Sequence, residues 1–238
     1  MTVEILFGEV CSLYGDSQNI TYLKQTLPEA TFIETKLVDE PWFLRNDPDL
    51  ILIGTMSENV QRRVIEKFRP HKARILELIE KGTPILATGN ACEIFCKQIE
   101  YVTEKISFAG LGIVDLTVKT DYFKRYNSKV LGEAAGIKIV GFRSQFSFLY
   151  GDNSGNYFQK VLRGDGINRE SKLEGFRVKN LIGTQLLGPM LPLNPLFCEY
   201  LLGLAGCDAK AAFRDEAMMA YEQRVKEFSD PEVKFDPI

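Results

Sequence analysis

The side chains best able to do covalent chemistry are five cysteines, Cys11, Cys92, Cys96, Cys198 and Cys207, and one histidine, His71. A cysteine nucleophile acts as its thiolate, and near neutral pH the usual proton acceptor is a histidine. A mechanism with a histidine base therefore runs through His71 or is absent. The segment with the form of a nucleophile site is GTPILATGNACEIFCKQ, residues 82–98. It reads as a buried strand, a tight turn holding Gly89 and Asn90, and the start of a helix, the arrangement that exposes a nucleophile in many α/β enzymes. Its first cysteine, Cys92, comes three residues after Gly89.

Cys92 has two readings. It is a thiol near a helix N-terminus with enhanced acidity, or a small buried residue on the inner face of a helix with Cys96 one turn later. The second is preferred. A three-residue displacement moves the sulfur about 4–5 Å along a helix axis, away from the turn. His71, in KFRPHKARIL, stands beside Lys72 and near Arg69 and Arg74, as a solvated helix residue does. A zinc site at Cys92 and Cys96 lacks ligands, since zinc takes four and the chain has no C-x-x-C pair. No metal and no cofactor are expected.

The elements that must position these groups follow from periodicity. Residues 3–10 read as a strand. Residues 13–28 read as a loop entering a helix, with Asp16 or Ser17 as N-cap, Ile20, Leu23 and Leu27 on one face, and Pro28 as the stop. Residues 31–38 read as a strand. The apolar runs at 49–54 and 84–89 suit buried parallel strands. Residues 57–81 read as helix broken near Pro70, with Ser57 or Glu58 as its cap, at the strand-end crevice where open α/β sheets bind ligands. Residues 91–99 read as helix. The second half consists of short β-rich runs with glycine turns, followed by helices at 194–206 and 208–228. In the last helix Phe213, Ala217, Tyr221 and Phe228 form the apolar stripe. Strands alternating with helices indicate a parallel sheet in an α/β domain.

Bulk properties exclude several classes. With 238 residues, 45% hydrophobic, the chain can bury a core of useful size. The formal net charge of -3 argues against a general nucleic-acid surface. MTVEILFGEVC lacks a basic segment followed by a long apolar run, so no signal peptide is expected, and no apolar stretch is long enough for a membrane span. Sparse, unpatterned cysteines suit a reduced, cytoplasmic protein.

Several motifs appear in one order: LYGDSQNITYLKQ (13–25), DLILIGTMSENVQ (49–61), GTPILATGNACEIFCK (82–97), GLGIVDLTVKT (110–120), IVGFRSQ (139–145) and NLIGTQLLGPMLPLNP (180–195). Together they resemble the CobB/CobQ-type (cobyric-acid-synthase-type) branch of the class I, or triad, glutamine amidotransferases. The similarity is greatest to the kind of subunit that partners a Mur-ligase-like protein to amidate cell-wall lipid II. The resemblance implies a flavodoxin-like α/β fold with a mostly parallel sheet flanked by helices, a β-rich second half and C-terminal helices. It implies one domain over 1–206, with an amphipathic helix and tail, 207–238, packed on it. In that family a cysteine thiolate attacks the glutamine amide, a histidine moves the protons, and backbone N–H groups hold the oxyanion. The ammonia passes to a partner that activates an acyl group with ATP.

The chain departs from the family where the chemistry sits. The turn L-A-x-C-G-G-x-Q is here Leu86-Ala87-Thr88-Gly89-Asn90-Ala91-Cys92-Glu93, so the nucleophile position is Gly89. G-T-x-L-H-G-P becomes Gly183-Thr184-Gln185-Leu186-Leu187-Gly188-Pro189, with Leu187 at the histidine position. The glycine-rich strand end is Gly54-Thr55-Met56-Ser57. The G-F-E-N-H segment is Gly141-Phe142-Arg143-Ser144-Gln145, and a family arginine aligns with Lys129 before Gly132. A nucleophile turn holds its residue in an unfavourable backbone region, which glycine occupies without penalty.

The expectation is a degenerate amidotransferase-like protein: a structural, regulatory or ligand-binding subunit of a Mur-ligase-like partner. Its old cleft would be formed around Gly54, Thr55, Ser57, Asn90, Lys129, Arg143 and Gln145, and Arg143 would favour a small anionic ligand. The alternative is an active amidotransferase or other hydrolase using Cys92 as a displaced nucleophile. Tyr14, Gly15, Asp16 and Asn19 either shape the cleft rim or cap the first helix. Asp115 is a turn former or a rim carboxylate.

Overall fold

Apolar runs without polar alternation need cover on both faces, and the chain supplies it. In the computed structural model, which describes residues 1–235, strands β1 (Thr2–Leu6), β2 (Thr31–Thr35), β3 (Leu50–Ile53) and β4 (Ile85–Thr88) pair in parallel. Helices α1 (Ser17–Thr26), α2 (Glu58–Phe68) and α3 (Lys72–Lys81) connect them. The break between α2 and α3 falls at a 3-10 turn, Arg69–His71, that contains Pro70. Along β3 the side chains divide by alternation: Ile51 and Ile53 join a core with α2 and α3, while Leu50 and Leu52 join a second core with α1 and the C-terminal helices.

After β4 the chain makes a 3-10 helix, Gly89–Phe95, and enters β5 (Cys96–Tyr101). The helix expected over 91–99 is therefore half 3-10 turn and half strand. Tertiary pairing decides this: β5 lies between β6 (Ile106–Ala109) and β7 (Val114–Thr120), and β10 (Ser147–Tyr150) completes that sheet. A third, antiparallel sheet runs β12-β11-β8-β9, from β8 (Tyr126–Ala134), β9 (Ile137–Gln145), β11 (Gln159–Arg163) and β12 (Leu173–Glu174). Strands β13 (Phe176–Val178) and β14 (Leu181–Thr184) return to the first sheet, whose order is β13-β14-β4-β3-β1-β2. Only the edge strand β13 is antiparallel there.

Helices α4 (Met190–Leu193), α5 (Pro195–Leu204) and α6 (Arg214–Ser229) close the fold. Tyr221, Phe228 and Phe235 pack on Leu131 and Val140 of the third sheet. Phe213 is not part of that stripe: it is 64% exposed, with φ +49, just before α6 begins. The first strand also ends early, at Leu6, because Phe7 turns into the left-handed region (φ +58) and its carbonyl accepts from Val10 and Cys11 N–H. Residues 236–238 of the expected tail lie outside the described residues.

The NP that ends the GPMLPLNP motif has a structural task. Asn194 is fully buried; its Oδ1 accepts from Val140 N–H, and its Nδ2 donates to the carbonyls of Val140 and Met190. It stitches β9 to α4 at the start of α5. Replacing it by alanine removes three hydrogen bonds and leaves buried backbone groups unpaired. The expected loss for Asn194→Ala is about 2–4 kcal/mol of unfolding free energy, measured by urea denaturation.

Candidate functional site

The site forms at the carboxyl ends of β3 and β4, beside the loop before α1. Asp16 is buried there. One carboxylate oxygen, Oδ2, accepts from Thr55 N–H at 2.8 Å, Thr55 Oγ1 at 2.6 Å and Thr88 Oγ1 at 2.7 Å, and Oδ1 accepts from Asn19 Nδ2 at 3.2 Å. Asp16 makes no side-chain cap to α1, which corrects the capping expectation: it ties two strand ends to the first helix. Burial pushes its pKa above the ordinary carboxyl value, opposed by the hydrogen bonds from Thr55, Thr88 and Asn19. Gly54 must be glycine for the same reason, since a Cβ there would lie 2.3 Å from the Cys11 carbonyl oxygen and 3.3 Å from Asp16. Ser57 does cap α2, accepting from Val60 N–H.

Gly89 follows β4 with φ +56, a left-handed conformation that favours glycine. A Cβ there would lie 2.2 Å from Thr55 Oγ1 and 2.9 Å from Leu187 Cδ2. Thr55 cannot easily yield, because Asp16 holds it by both backbone and hydroxyl. Leu187 is fixed from the other side by paired backbone hydrogen bonds with Phe142. Asn90 then clamps the β3 loop, accepting from Met56 N–H at 3.0 Å and donating to Met56 O at 2.8 Å.

These residues line a cleft of about 140 Å³. Of the residues expected there, Thr55, Ser57, Gly89, Asn90, Gln145 and Leu187 line it, and Tyr14 stands at its rim. Gly54, Lys129 and Arg143 do not line it. Lys129 lies on β8, its ammonium near the Phe228 ring at the C-terminal tail. Arg143 has 0% exposure and pairs with the equally buried Glu174. It faces the interior because alternate residues of a strand point to opposite faces. The anionic ligand inferred from Arg143 therefore loses its basis: the cleft lining holds no lysine or arginine, and it holds Glu58 and Glu93. Asp115 is an exposed strand residue paired with Lys97, not a rim group.

Glu93, Ser147 and Gln185 line the cleft without being among the residues expected there, although the exchange of the family's glutamine for Glu93 is visible in the sequence. Glu93 accepts from Ser147 Oγ, from Gln61 Nε2 at 2.9 Å and, at 3.4 Å, from Gln185 Nε2. Burial raises its pKa from an ordinary 4.5 to about 7, the three hydrogen bonds oppose the rise, and the Glu58 charge adds to it.

Cys92 is sealed from the cleft with 0% exposure, and Cys96 likewise. Burial, followed by neighbouring Cys96, Glu93 and Glu174, holds the Cys92 thiol well above its ordinary pKa, the opposite of an activated thiolate. His71 sits beyond the far end of α2, whose 11 residues span about 16 Å. Among the described residues, no group of three or more His, Cys, Asp or Glu could hold a metal ion, and no helix is long and apolar enough to cross a membrane.

Two measurements follow. Iodoacetamide applied to the native protein at pH 8 is expected to label Cys207, the one partly exposed thiol, and to leave Cys92 and Cys96 unmodified until denaturant is added, as read by peptide mass spectrometry. The second concerns pH. A carboxyl raised by folding contributes stability that is full below its unfolded pKa and is lost as pH rises through the folded value. For Glu93 the window runs from 4.5 to about 7. At about 1.4 kcal/mol per pH unit it corresponds to about 3 kcal/mol. Glu4 and Asp16 are shifted in the same direction. Urea denaturation is expected to show stability falling across this window in the wild type, with a shallower fall in Glu93→Gln.

Residues 2–194 match the family model of the CobB/CobQ-like glutamine amidotransferase domain. The chain is 29% identical over 213 residues to the lipid II isoglutaminyl synthase (glutamine-hydrolyzing) subunit GatD of Staphylococcus aureus (strain N315), covering 88% of this chain and 86% of that one. It is 23% identical over 247 residues to the subunit of the same name from Streptococcus pneumoniae (strain ATCC BAA-255 / R6), covering 99% and 93%. Among solved structures, a glutamine amidotransferase superposes with a TM-score of 0.53 at 15% identity over 86% of this chain and 98% of that one. A Thermotoga maritima glutamine amidotransferase gives 0.52 at 10% identity over 96% and 92%. These structures share the fold.

Proposed function

The chain belongs to the CobB/CobQ-like glutamine amidotransferase family, and from that premise we propose that it is a GatD-like subunit that keeps the amidotransferase scaffold but does not hydrolyse glutamine. The observation that carries this reading is the closure of the Gly89 position. The residue aligned with the family's nucleophile has no side chain, and Thr55 and Leu187 occupy the space where one would begin. The aligned histidine position is Leu187, which cannot accept a proton, and the aligned acid position is Arg143, which faces away from the cleft. Loss of one member of a coupled catalytic set removes several orders of magnitude in rate, and here both the cysteine and the histidine positions are replaced. Catalysis through Cys92 finds no support, since the thiol is buried, strongly neutral and without a nearby base.

The role left to the subunit is structural, regulatory or ligand-binding, in association with a Mur-ligase-like protein. The similarity to GatD subunits over nearly the whole chain supports that partner. The chemical meaning of the cleft then changes. It holds no nucleophile with a base, but keeps a shaped, polar interior.

The test is glutamate release from glutamine by the purified protein, alone and co-expressed with a Mur-ligase-like partner. No release above the buffer rate is expected in either case, and release abolished by Cys92→Ser overturns the reading. Restoring the lost side chains in Gly89→Cys/Leu187→His is expected to give no activity either. The Gly89→Cys change alone should lower the unfolding free energy by roughly 1–3 kcal/mol or more, because a side chain is forced into a left-handed backbone and against Thr55.

A further inference from the structure

The cleft beside Gly89 is lined by acceptors. Glu93 presents a carboxylate at its inner end, and Glu58, at the start of α2, is a second acid in the wall. Gln185 is 3% exposed and its Oε1 has no donor among the described residues; the same is true of Gln145 Oε1. Both residues line the cleft. Their amide N–H groups are already engaged, Gln185 toward Glu93 and the Ser147 carbonyl, and Gln145 on the Ser147 carbonyl. What the site offers is therefore the Glu93 carboxylate, already held by Ser147, Gln61 and Gln185, and two amide oxygens that lack a donor among the described residues. Arg125 touches two of the lining residues, donating to the Tyr14 hydroxyl at 3.0 Å and lying over the face of Phe146.

A buried polar acceptor without a donor costs roughly 1–3 kcal/mol, and a ligand bringing N–H donors and positive charge would recover it. The volume, about 140 Å³, is well below the several hundred Å³ of drug-sized pockets and fits a few heavy atoms. We propose that this cleft binds the head group of a small protonated amine, with the Glu93 carboxylate as counter-ion and the oxygens of Gln185 and Gln145 as further acceptors. The inference rests on the reading that no acyl chemistry takes place here. It goes beyond it by naming the class of ligand.

Proton linkage supplies an independent readout. The titratable groups that face Glu93 are Glu58 on α2, Cys92 and Cys96 on its own segment and the next strand, and Tyr101 and Tyr122 behind the cleft. All of these are acids, so none supplies a competing positive charge. Arg143, beyond Cys92, is neutralised by Glu174. A bound cation favours the ionised carboxylate, so amine affinity falls as pH falls through about 7, where Glu93 takes up its proton.

Isothermal titration of the full chain with methylammonium chloride at pH 8, with potassium chloride and sodium acetate as controls, tests the assignment. Methylammonium is expected to bind, acetate not to bind, and potassium to compete poorly because it brings no N–H donors. Glu93→Gln is expected to weaken binding at least about tenfold, as removal of a charge-assisted partner does. Should that variant fold poorly, Glu58→Gln, on the half-buried rim, is expected to weaken binding by a smaller factor. The wild type is expected to lose affinity between pH 8 and pH 6. Absence of methylammonium binding, equal competition by potassium, or unchanged affinity in folded Glu93→Gln overturns the proposal. Glutamate release is followed in the same samples. Release from glutamine would bring down the underlying reading, while missing amine binding without release would bring down this inference alone.

Discussion

The buried carboxylate of Asp16 is the constraint on which the site depends. An ionised group removed from water is tolerated only when its lone pairs are satisfied, and four donors from three elements converge on this one. Satisfying Asp16 fixes the loop after β3, the end of β4 and the first turn of α1 against one another. Asn19 carries the arrangement onward, because its Oδ1 accepts from Leu191 N–H at 2.8 Å and so anchors the segment after β14. The YGD…N and GPMLPLNP motifs, far apart in sequence, are thus two ends of one polar chain.

That chain of contacts explains why three positions act together. Thr55 is held by Asp16, Leu187 is held by Phe142 and by the anchored segment, and Gly89 lies between them with no room for a Cβ. The three are mutually permissive. A larger residue at 89 requires a smaller one at 55 and at 187, and a polar residue at 187 would need a partner that the present walls do not offer. A side chain at position 89 is therefore excluded by more than backbone conformation, because Thr55 and Leu187 fill the space where it would begin.

The central sheet was legible in the sequence because strands buried on both faces must be continuously apolar, and the runs at β3 and β4 have no competing pattern. The break at Pro70 and the Ser57 cap were legible for equally local reasons. The segment after Gly89 was not. ACEIFC carries a helical arrangement of apolar residues, yet Cys96 begins a strand because β6 and β7 offer hydrogen bonds on both sides. Arg143 and Lys129 were misplaced for another reason. Alignment by motif gives a position along a strand but not the face that the strand presents, and a single step of alternation separates Arg143, in the core, from Ser144, in the cleft wall. Glu93 was visible as an exchanged letter. Its importance lies in burial and in the donors gathered from α2, β10 and the segment after β14, which no local pattern announces.

The comparison of the two buried acids gives the cleft its meaning. Asp16 is saturated by donors and has no unpaired neighbour among its partners, as a structural carboxylate should be. Glu93 is buried as deeply, yet beside it stand two side-chain amide oxygens without donors among the described residues. If the cleft served only to pack, apolar residues of similar volume would be more stable, since burying charged and polar groups that are incompletely paired is a net loss. The fold has taken that more stable solution at Leu187, in the same lining, where an apolar side chain fills the wall. Retaining Glu93, Gln145 and Gln185 in the same cleft is a local sacrifice of stability, and such sacrifices mark the places where a protein meets something other than itself.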